Sequence, residues 1–246
     1  DGIQLHGWLF DPDCAGAKPH LYAICCHGYS GQPQDMAKYA HRFARLGFTV
    51  LVPALRGHGL SEGRYAGMGW LDRRDLMRWI SLIIDSDADA RILLQGKSMG
   101  AAAVMMTVGE PDLPRNVVAA VEDCGYASVG QQFIDCARSM FHLPKFLAKP
   151  IVTTMGAIAR RRAGYGFQEA SCVEQLKHAT IPMLFIHGGA DDFVPSRALD
   201  ENFDACASID RQKLLIPSAG HSMSASTAPV VYWKTVTNFV TRVFGL

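Results

Sequence analysis

Apolar residues along this chain follow two rhythms that take turns. Residues 3–10 set Ile3, Leu5, Gly7 and Leu9 against Gln4, His6, Trp8 and Phe10, the period of two of a half-exposed strand. Leu21–Cys26 and the stretches 48–52, 91–94, 117–121, 183–186 and 213–216 are short, largely apolar runs of strand length. Between them the spacing changes to three and four. Met36, Tyr39, Ala40, Phe43 and Leu46 form one such set, closed by Gly47, and Leu76, Trp79, Ile80, Ile83 and Ile84 form another. The Ala-rich 101–108 and a closing set of Val236, Phe239, Val240 and Val243 complete the series. These spacings predict helices. Strands alternating with helices predict an α/β fold, a mostly parallel central sheet flanked by helices on both faces.

One stretch breaks the alternation. Between the strands at 117–121 and 183–186 lie roughly sixty residues with helical but no strand character, where an ordinary connection takes about 2–6. The pattern predicts a small helical cap, about 126–178, inserted into a single domain whose core is 1–125 and 179–246. One cap helix is expected near Val129–Phe141, then a break at Leu143-Pro144, then a second helix near 151–162. From 126 to 178 the chain carries seven Lys or Arg against three Asp or Glu. A solvated helical face explains that charge, and a pocket biased toward anionic substrates is the sharper reading.

Composition narrows the field. At 246 residues, with 49% apolar and 19% charged positions, the chain suits one domain with a sizeable core and is not a disordered chain. A net charge of +1 excludes a nucleic-acid partner, which would require a marked basic excess. No run supplies the ~20 apolar residues of a membrane span. Seven cysteines, with Cys25 and Cys26 adjacent in an apolar run, make an odd count unlike a disulfide framework. No Cys-x-x-Cys pair exists and the nine histidines lack metal-ligand spacing, so no metal or cofactor is expected. Buried, reduced cysteines point to the cytoplasm. The chain opens at Asp1, so the alternative is an extracytoplasmic protein anchored through a segment upstream. No signal for oligomeric state is legible.

The candidate chemistry starts at Gly96-Lys97-Ser98-Met99-Gly100, which fits Gly-x-Ser-x-Gly between an apolar strand and an Ala-rich helix. A serine held on a strand-to-helix turn needs glycines two places either side, where backbone and sheet approach too closely for a Cβ. The helix N-terminus then brings its dipole and free N–H groups to the serine. A serine hydroxyl also needs a positioned base and an orienting carboxylate. His187-Gly188-Gly189-Ala190-Asp191-Asp192-Phe193-Val194-Pro195 follows one strand and Gly220-His221 follows the next, which gives the order serine, acid, histidine.

With these motifs in view, the chain resembles the α/β-hydrolase superfamily of serine hydrolases, particularly bacterial prolyl-oligopeptidase-like and cinnamoyl-esterase-like members. Further matching motifs are His27-Gly28-Tyr29 and Arg56-Gly57-His58-Gly59-x-Ser61, so the likeness runs through nearly the whole chain. The resemblance implies Ser98 as nucleophile, His221 as base and Asp191 as acid. It implies an oxyanion hole from the backbone N–H groups of Tyr29 and Met99, with the Tyr29 and Tyr126 rings as candidate substrate contacts. Asp191 is preferred because it alone stands at the family spacing before Val194-Pro195. Asp123, at the end of the strand 117–121, and the adjacent Asp192 are its rivals.

Two positions depart from the family. Lys97 stands where relatives often carry His, Glu or Gln, and a surface-pointing Lys is the plainer reading of it. Ala54 stands where many carry Asp, which puts the hydrogen bonding of the 53–59 loop in question. His27, His58 and His187 read as braces of motif loops; His6, His20, His41, His142 and His178 read as surface residues. The expectation is a cofactor-free serine hydrolase that cleaves a carboxylic ester of small or medium size through an acyl-enzyme. Peptidase action on a short peptide is the alternative. A non-catalytic binding member, or a lyase or perhydrolase on the same scaffold, would be separated from both by reaction with a fluorophosphonate.

Overall fold

A computed structural model describes residues 1–16 and 18–246. Seven strands follow in chain order: β1 (Gly7–Phe10), β2 (Leu21–Cys26), β3 (Thr49–Pro53), β4 (Arg91–Lys97), β5 (Val117–Asp123), β6 (Met183–Gly188) and β7 (Arg211–Ile216). They form one sheet in the order β1-β3-β2-β4-β5-β6-β7. Only β1 is antiparallel to its neighbour; β2 through β7 pair in parallel. The expected mostly parallel α/β sheet is therefore present.

Helices α1 (Ala37–Arg45), α2 (Asp72–Ser86), α3 (Met99–Thr107), α4 (Val129–Phe141), α5 (Lys145–Ala163), α6 (Cys172–Leu176), α7 (Arg197–Ala205), α8 (Ser224–Thr227) and α9 (Pro229–Phe244) connect or close the strands. Each central strand is buried on both faces, because alternate residues serve two cores. Ile24, Cys26, Ile92, Leu94 and Phe185 pack with α2, α3 and α7 on one side. Ala23, Cys25, Leu93, Leu184 and Ile186 pack with α1 and α9 on the other. The adjacent Cys25 and Cys26 thus enter opposite cores as small apolar side chains. Five of the seven cysteines are buried, Cys136 is half-buried and Cys14 exposed, and all are free thiols.

Two boundaries differ from the sequence expectation. The alternation from residue 3 becomes strand only at Gly7. Upstream of it the backbone pairs with a loop instead: Ala54 N–H donates to His6 O and Glu62 N–H to Gln4 O. Helix α5 begins at Lys145, six residues before the expected 151, and carries Pro150 within its second turn. Pro150 has no N–H to give Phe146 O, so α5 forgoes one i→i−4 hydrogen bond there, and the turn from Lys145 to Lys149 forms ahead of it all the same. The stretch 126–178 also divides. Helices α4 and α5 pack on each other; Ala148, Val152 and Gly156 are the buried residues of α5, and Phe167 beyond it lies against Gly156 and stacks on Phe133 of α4 at 4.7 Å. Helix α6 instead sends Cys172 and Leu176 into the main core beside α3.

The chain reverses its direction of travel across the sheet between β2 and β4. After β2 it moves outward to β3, then returns to place β4 on the other side of β2. The loops leaving β2 and β4 therefore part at the strands' carboxyl ends and open a crevice. The crossing there is tight. A Cβ on Gly96 would lie 2.3 Å from Gly100 O, and one on Gly100 would lie 2.3 Å from Cys26 O. Gly100→Ala is expected to cost on the order of 3 kcal/mol, a fall in Tm of roughly 6–12 °C. Gly130→Ala in α4, whose Cβ would meet nothing closer than 3.4 Å, should be neutral or stabilising. Thermal unfolding of the two variants checks this; equal Tm values would remove the steric account of the crossing.

Candidate active site

Ser98 sits between β4 and α3 with φ 56° and ψ −118°, a left-handed conformation that a non-glycine residue adopts only when its surroundings impose it. Ser98 N–H donates to Asp123 O at 2.8 Å and Ser98 O accepts from Ala102 N–H at 3.0 Å. Sheet and helix thereby grip the residue from both sides. Ser98 is 8% exposed, so its hydroxyl faces the crevice from a protected floor.

From that hydroxyl a chain of hydrogen bonds runs across three loops. Ser98 Oγ lies 2.9 Å from His221 Nε2, and His221 Nδ1 lies 2.8 Å from Asp191 Oδ2. The second Asp191 oxygen, Oδ1, accepts the N–H groups of Phe193 at 3.0 Å and Val194 at 2.8 Å. Burial alone would raise the Asp191 pKa. Hydrogen bonds and charge from His187 and His221, with the Val194 N–H, outweigh it and hold the group well below the usual carboxylate range. An ionised carboxylate only accepts, so His221 carries its proton on Nδ1 and leaves Nε2 free to accept from Ser98.

The structure therefore brings Ser98, His221 and Asp191 into one hydrogen-bonded line. It does not bring the rivals there. Asp123 is buried and accepts from Tyr232 Oη at 2.9 Å and Tyr39 Oη at 3.4 Å, and burial pushes its pKa up to about 6. Asp192 is exposed. Lys97 is half-buried at the end of β4, paired in register with Asp123.

The backbone around Ser98 is braced by the motif histidines. His27 Nδ1–H donates to Gly28 O at 2.8 Å, and His27 Nε2 accepts from Leu55 N–H at 3.0 Å. Gly31 N–H donates to the same Gly28 oxygen. In a trans peptide the N–H lies opposite the C=O, so anchoring Gly28 O turns the Tyr29 N–H away from that cluster. Its peptide passes close to the serine, since a Cβ on Gly28 would stand 3.2 Å from Ser98 Cβ. The Met99 N–H heads α3 and has no intrahelical partner. His58 accepts Ser30 N–H at 3.2 Å and donates to Arg56 O at 2.9 Å. His187 donates to Val194 O at 3.0 Å on the acid's own loop.

The loop that lacks Asp at position 54 is held by other bonds. Arg56 forms two 2.6 Å hydrogen bonds to Asp75 of α2, and Ser61 Oγ donates to Ala54 O at 2.6 Å.

A pocket of about 600 Å³ opens onto Ser98. Tyr29, Tyr65, Met68, Phe133, Met155 and Phe193 supply much of its wall, and Arg64 and Arg162 are its charged lining residues. Tyr126 belongs to the wall, with its hydroxyl donating to Met68 O at 2.9 Å. Tyr165 Oη holds Ala66 O at 3.2 Å, and Gln132 Nε2 donates to Phe193 O at 2.8 Å. These bonds tie α4 and α5 to the loops that flank the serine. Most of this wall was not identified from sequence. Met155 and Ile158 continue an apolar spacing from Ile151, and Phe193 lies inside the motif that carries Asp191; only those positions bore a signal.

Cys124 lies beside the line, with its sulfur and ligating atoms of Asp191 and His221 within 4.8 Å of one another. A metal there would have to displace the Asp191–His221 bond and draw a proton from a thiol that burial holds well above its ordinary pKa. The chemistry of the set therefore favours the hydrogen-bonded line over a metal centre.

Residues 17–155 match the model of the family described as serine aminopeptidase, S33. The chain belongs to that family of α/β-hydrolases. Among relatives, the uncharacterized protein YqkD of Bacillus subtilis is 26% identical over 218 residues, which cover 88% of this chain and 70% of YqkD. Esterase Pf2001 of Pyrococcus furiosus shares the fold with a TM-score of 0.76 and 21% identity, over 98% of this chain and 88% of that one. An acylaminoacyl peptidase of Pyrococcus horikoshii shares it with a TM-score of 0.68 and 15% identity, over 99% of this chain and 40% of the peptidase. The family is a hydrolase family whose fold serves esterases and peptidases alike, so the choice between them falls to this chain's own residues.

Beneath the acid loop, burial pushes the Glu122 carboxyl up to about 8, against the opposing pull of His187 and the Gly125 N–H. Burial would lower His187, but the hydrogen bond and charge of Asp191 and the bond to the Val194 carbonyl outweigh it and raise that group. Between the ordinary carboxylate range and about pH 8, native Glu122 keeps a proton that the unfolded chain has lost. Stability must therefore fall as pH rises through this window, by up to about 1.4 kcal/mol per pH unit per group, and His187 acts in the same sense. Denaturant midpoints at pH 5 and pH 8 should show this fall, and Glu122→Gln should make it shallower, leaving the share of His187 and of the buried Asp72 and Asp123 carboxyls. A midpoint that rises toward pH 8 would refute it.

Proposed function

We propose that this protein is a serine hydrolase that cleaves carboxylic esters through an acyl-enzyme. The observation that carries the reading is the line Ser98 Oγ, His221, Asp191, at 2.9 and 2.8 Å, at the floor of a largely apolar pocket. Ser98 Oγ attacks the ester carbonyl while His221 Nε2 takes its proton. Asp191 holds the Nδ1–H tautomer and stabilises the imidazolium. The carbonyl oxygen becomes an anion, and the N–H groups of Tyr29 and Met99 receive it, at a helix N-terminus whose dipole favours negative charge. His221 returns the proton to the departing alcohol. A water molecule, activated by the same histidine, then releases the acid from Ser98. No cofactor enters any step.

Ester rather than amino-terminal peptide cleavage is favoured by the pocket's charge. An aminopeptidase must bind a free ammonium group, and a carboxylate does this best. The pocket lining has no Asp or Glu and two arginines. Helices α4 and α5 serve in this reading as a cap over the acyl site. The apolar walls from Phe133, Met155 and Phe193 suit an acyl or aryl group.

Steady-state kinetics on a panel of p-nitrophenyl esters and on peptide amides with free and acylated amino ends tests the reading. Esters should be hydrolysed well and free-amino peptides poorly; the reverse order would make the protein a peptidase. Asp191→Asn should lower kcat about 10⁴-fold by fixing the wrong tautomer, while Asp123→Asn should retain ester hydrolysis. An inactive Asp123→Asn beside a fully active Asp191→Asn would transfer the acid role to Asp123.

A further inference from the structure

We infer that the ester cleaved at Ser98 carries an anionic group, a carboxylate or a phosphate, away from its scissile bond, and that Arg64 and Arg162 bind that group. The inference rests on the reading of Ser98 as the nucleophile of an ester hydrolase. Both arginines line the pocket that holds Ser98, and no Asp or Glu joins them there. Both are exposed, and among the described residues neither guanidinium forms an ion pair or a hydrogen bond. Arg56, Arg73 and Arg160 are by contrast paired with Asp75, Glu110 and Glu169. A free guanidinium offers a planar fork of donors that fits the paired oxygens of a carboxylate or phosphate.

One hydrogen bond brings the two arginines to the same corner of the pocket. Tyr165 Oη donates to Ala66 O at 3.2 Å. Arg162 stands three residues before Tyr165, and Arg64 two residues before Ala66. Each of these segments is itself held. Gly57 N–H donates to Glu62 O at 3.0 Å, and this loop closes so tightly that a Cβ on Gly63 would stand 2.8 Å from Gly57 N. Arg162 lies in the last turn of α5, which Gly164 ends at φ 80°. The acids nearest in sequence are engaged elsewhere: Glu62 accepts Gln4 N–H at 2.9 Å, and Glu169 binds Arg160. Arg160 and Arg161 line a separate cavity, and of that basic run only Arg162 lines the Ser98 pocket. Ser98 is buried and the two cations are exposed, so the ester lies deep, the anion lies at the rim, and the apolar wall of Met68, Phe133 and Met155 takes the body of the substrate.

Esters paired by distal charge test this. The first pair, p-nitrophenyl hemisuberate and p-nitrophenyl octanoate, puts the anion on the acyl part. The second, p-octanoyloxybenzoate and phenyl octanoate, puts it on the alcohol part. In at least one pair the parent protein should favour the anion, by a ratio of kcat/KM that falls as salt rises. Arg64→Gln and Arg162→Gln should each lower that ratio about fivefold, and about twentyfold together. Arg162→Lys, which keeps the charge, should lower it less, and Arg161→Gln should leave it in place. Taking the ratio within each variant cancels any loss of folded enzyme. Calorimetry of Ser98→Ala with monomethyl and dimethyl suberate reads the same preference without turnover. A protein that cleaves no ester would therefore defeat the esterase reading while the arginines remain under test. A preference for the neutral partner in every pair overturns the inference. So does a preference for the anion that Arg64→Gln and Arg162→Gln leave in place, or that Arg161→Gln weakens as much.

Discussion

Three backbones meet within van der Waals limits beneath Ser98, and most of what the molecule can do depends on that meeting. The end of β2, the end of β4 and the first turn of α3 come so close that a methyl group at position 96 or 100 would overlap a peptide oxygen. The closeness holds Ser98 at φ 56°, a conformation worth about 1–3 kcal/mol of local strain. The bonds from Asp123 and Ala102 hold it there. The backbone thereby fixes where Ser98 Cβ stands, and a single side-chain torsion, held by the bond to His221, places the hydroxyl.

The other two members of the line sit on less constrained ground and are fixed by hydrogen bonds instead. Asp191 is oriented by two N–H groups of its own loop, and that loop is tied by His187 to Val194 O. The ionised carboxylate then sets the His221 tautomer. Histidines at 27, 58 and 187 thus act on the backbone, and the geometry of the line rests on groups that never touch a reacting atom.

Much of this was legible in the sequence because its signals are local. Six strands show as largely apolar runs and the first as an alternation, and the glycines around Ser98 and the Asp191–Pro195 segment carry their geometry in adjacent positions. Elements set by distant partners were harder to read. Residues 3–6 look like strand because the alternation is real, yet their backbone partners belong to a loop. Pro150 suggests a helix start at 151, but Lys145 to Lys149 already form a turn, and the helix runs on through the proline at the loss of one backbone hydrogen bond. Short α6 shows no periodicity of its own and is held by the core beside α3. The pocket wall was largely invisible for the same reason: Tyr65 and Met68 lie far in sequence from Phe133 and meet it where Tyr126 and Tyr165, flanking α4 and α5, tie down the 66–68 loop.

The pocket and the line below it together make the central claim, that Ser98 is the nucleophile of an acyl-enzyme reaction. Mass spectrometry of the intact protein and its peptides after brief exposure to a fluorophosphonate tests it most directly. The account predicts a single adduct on the peptide holding Ser98, absent in Ser98→Ala and greatly slowed in His221→Ala, where the serine loses its base. An unlabelled parent protein, or an adduct that persists in Ser98→Ala, would contradict it.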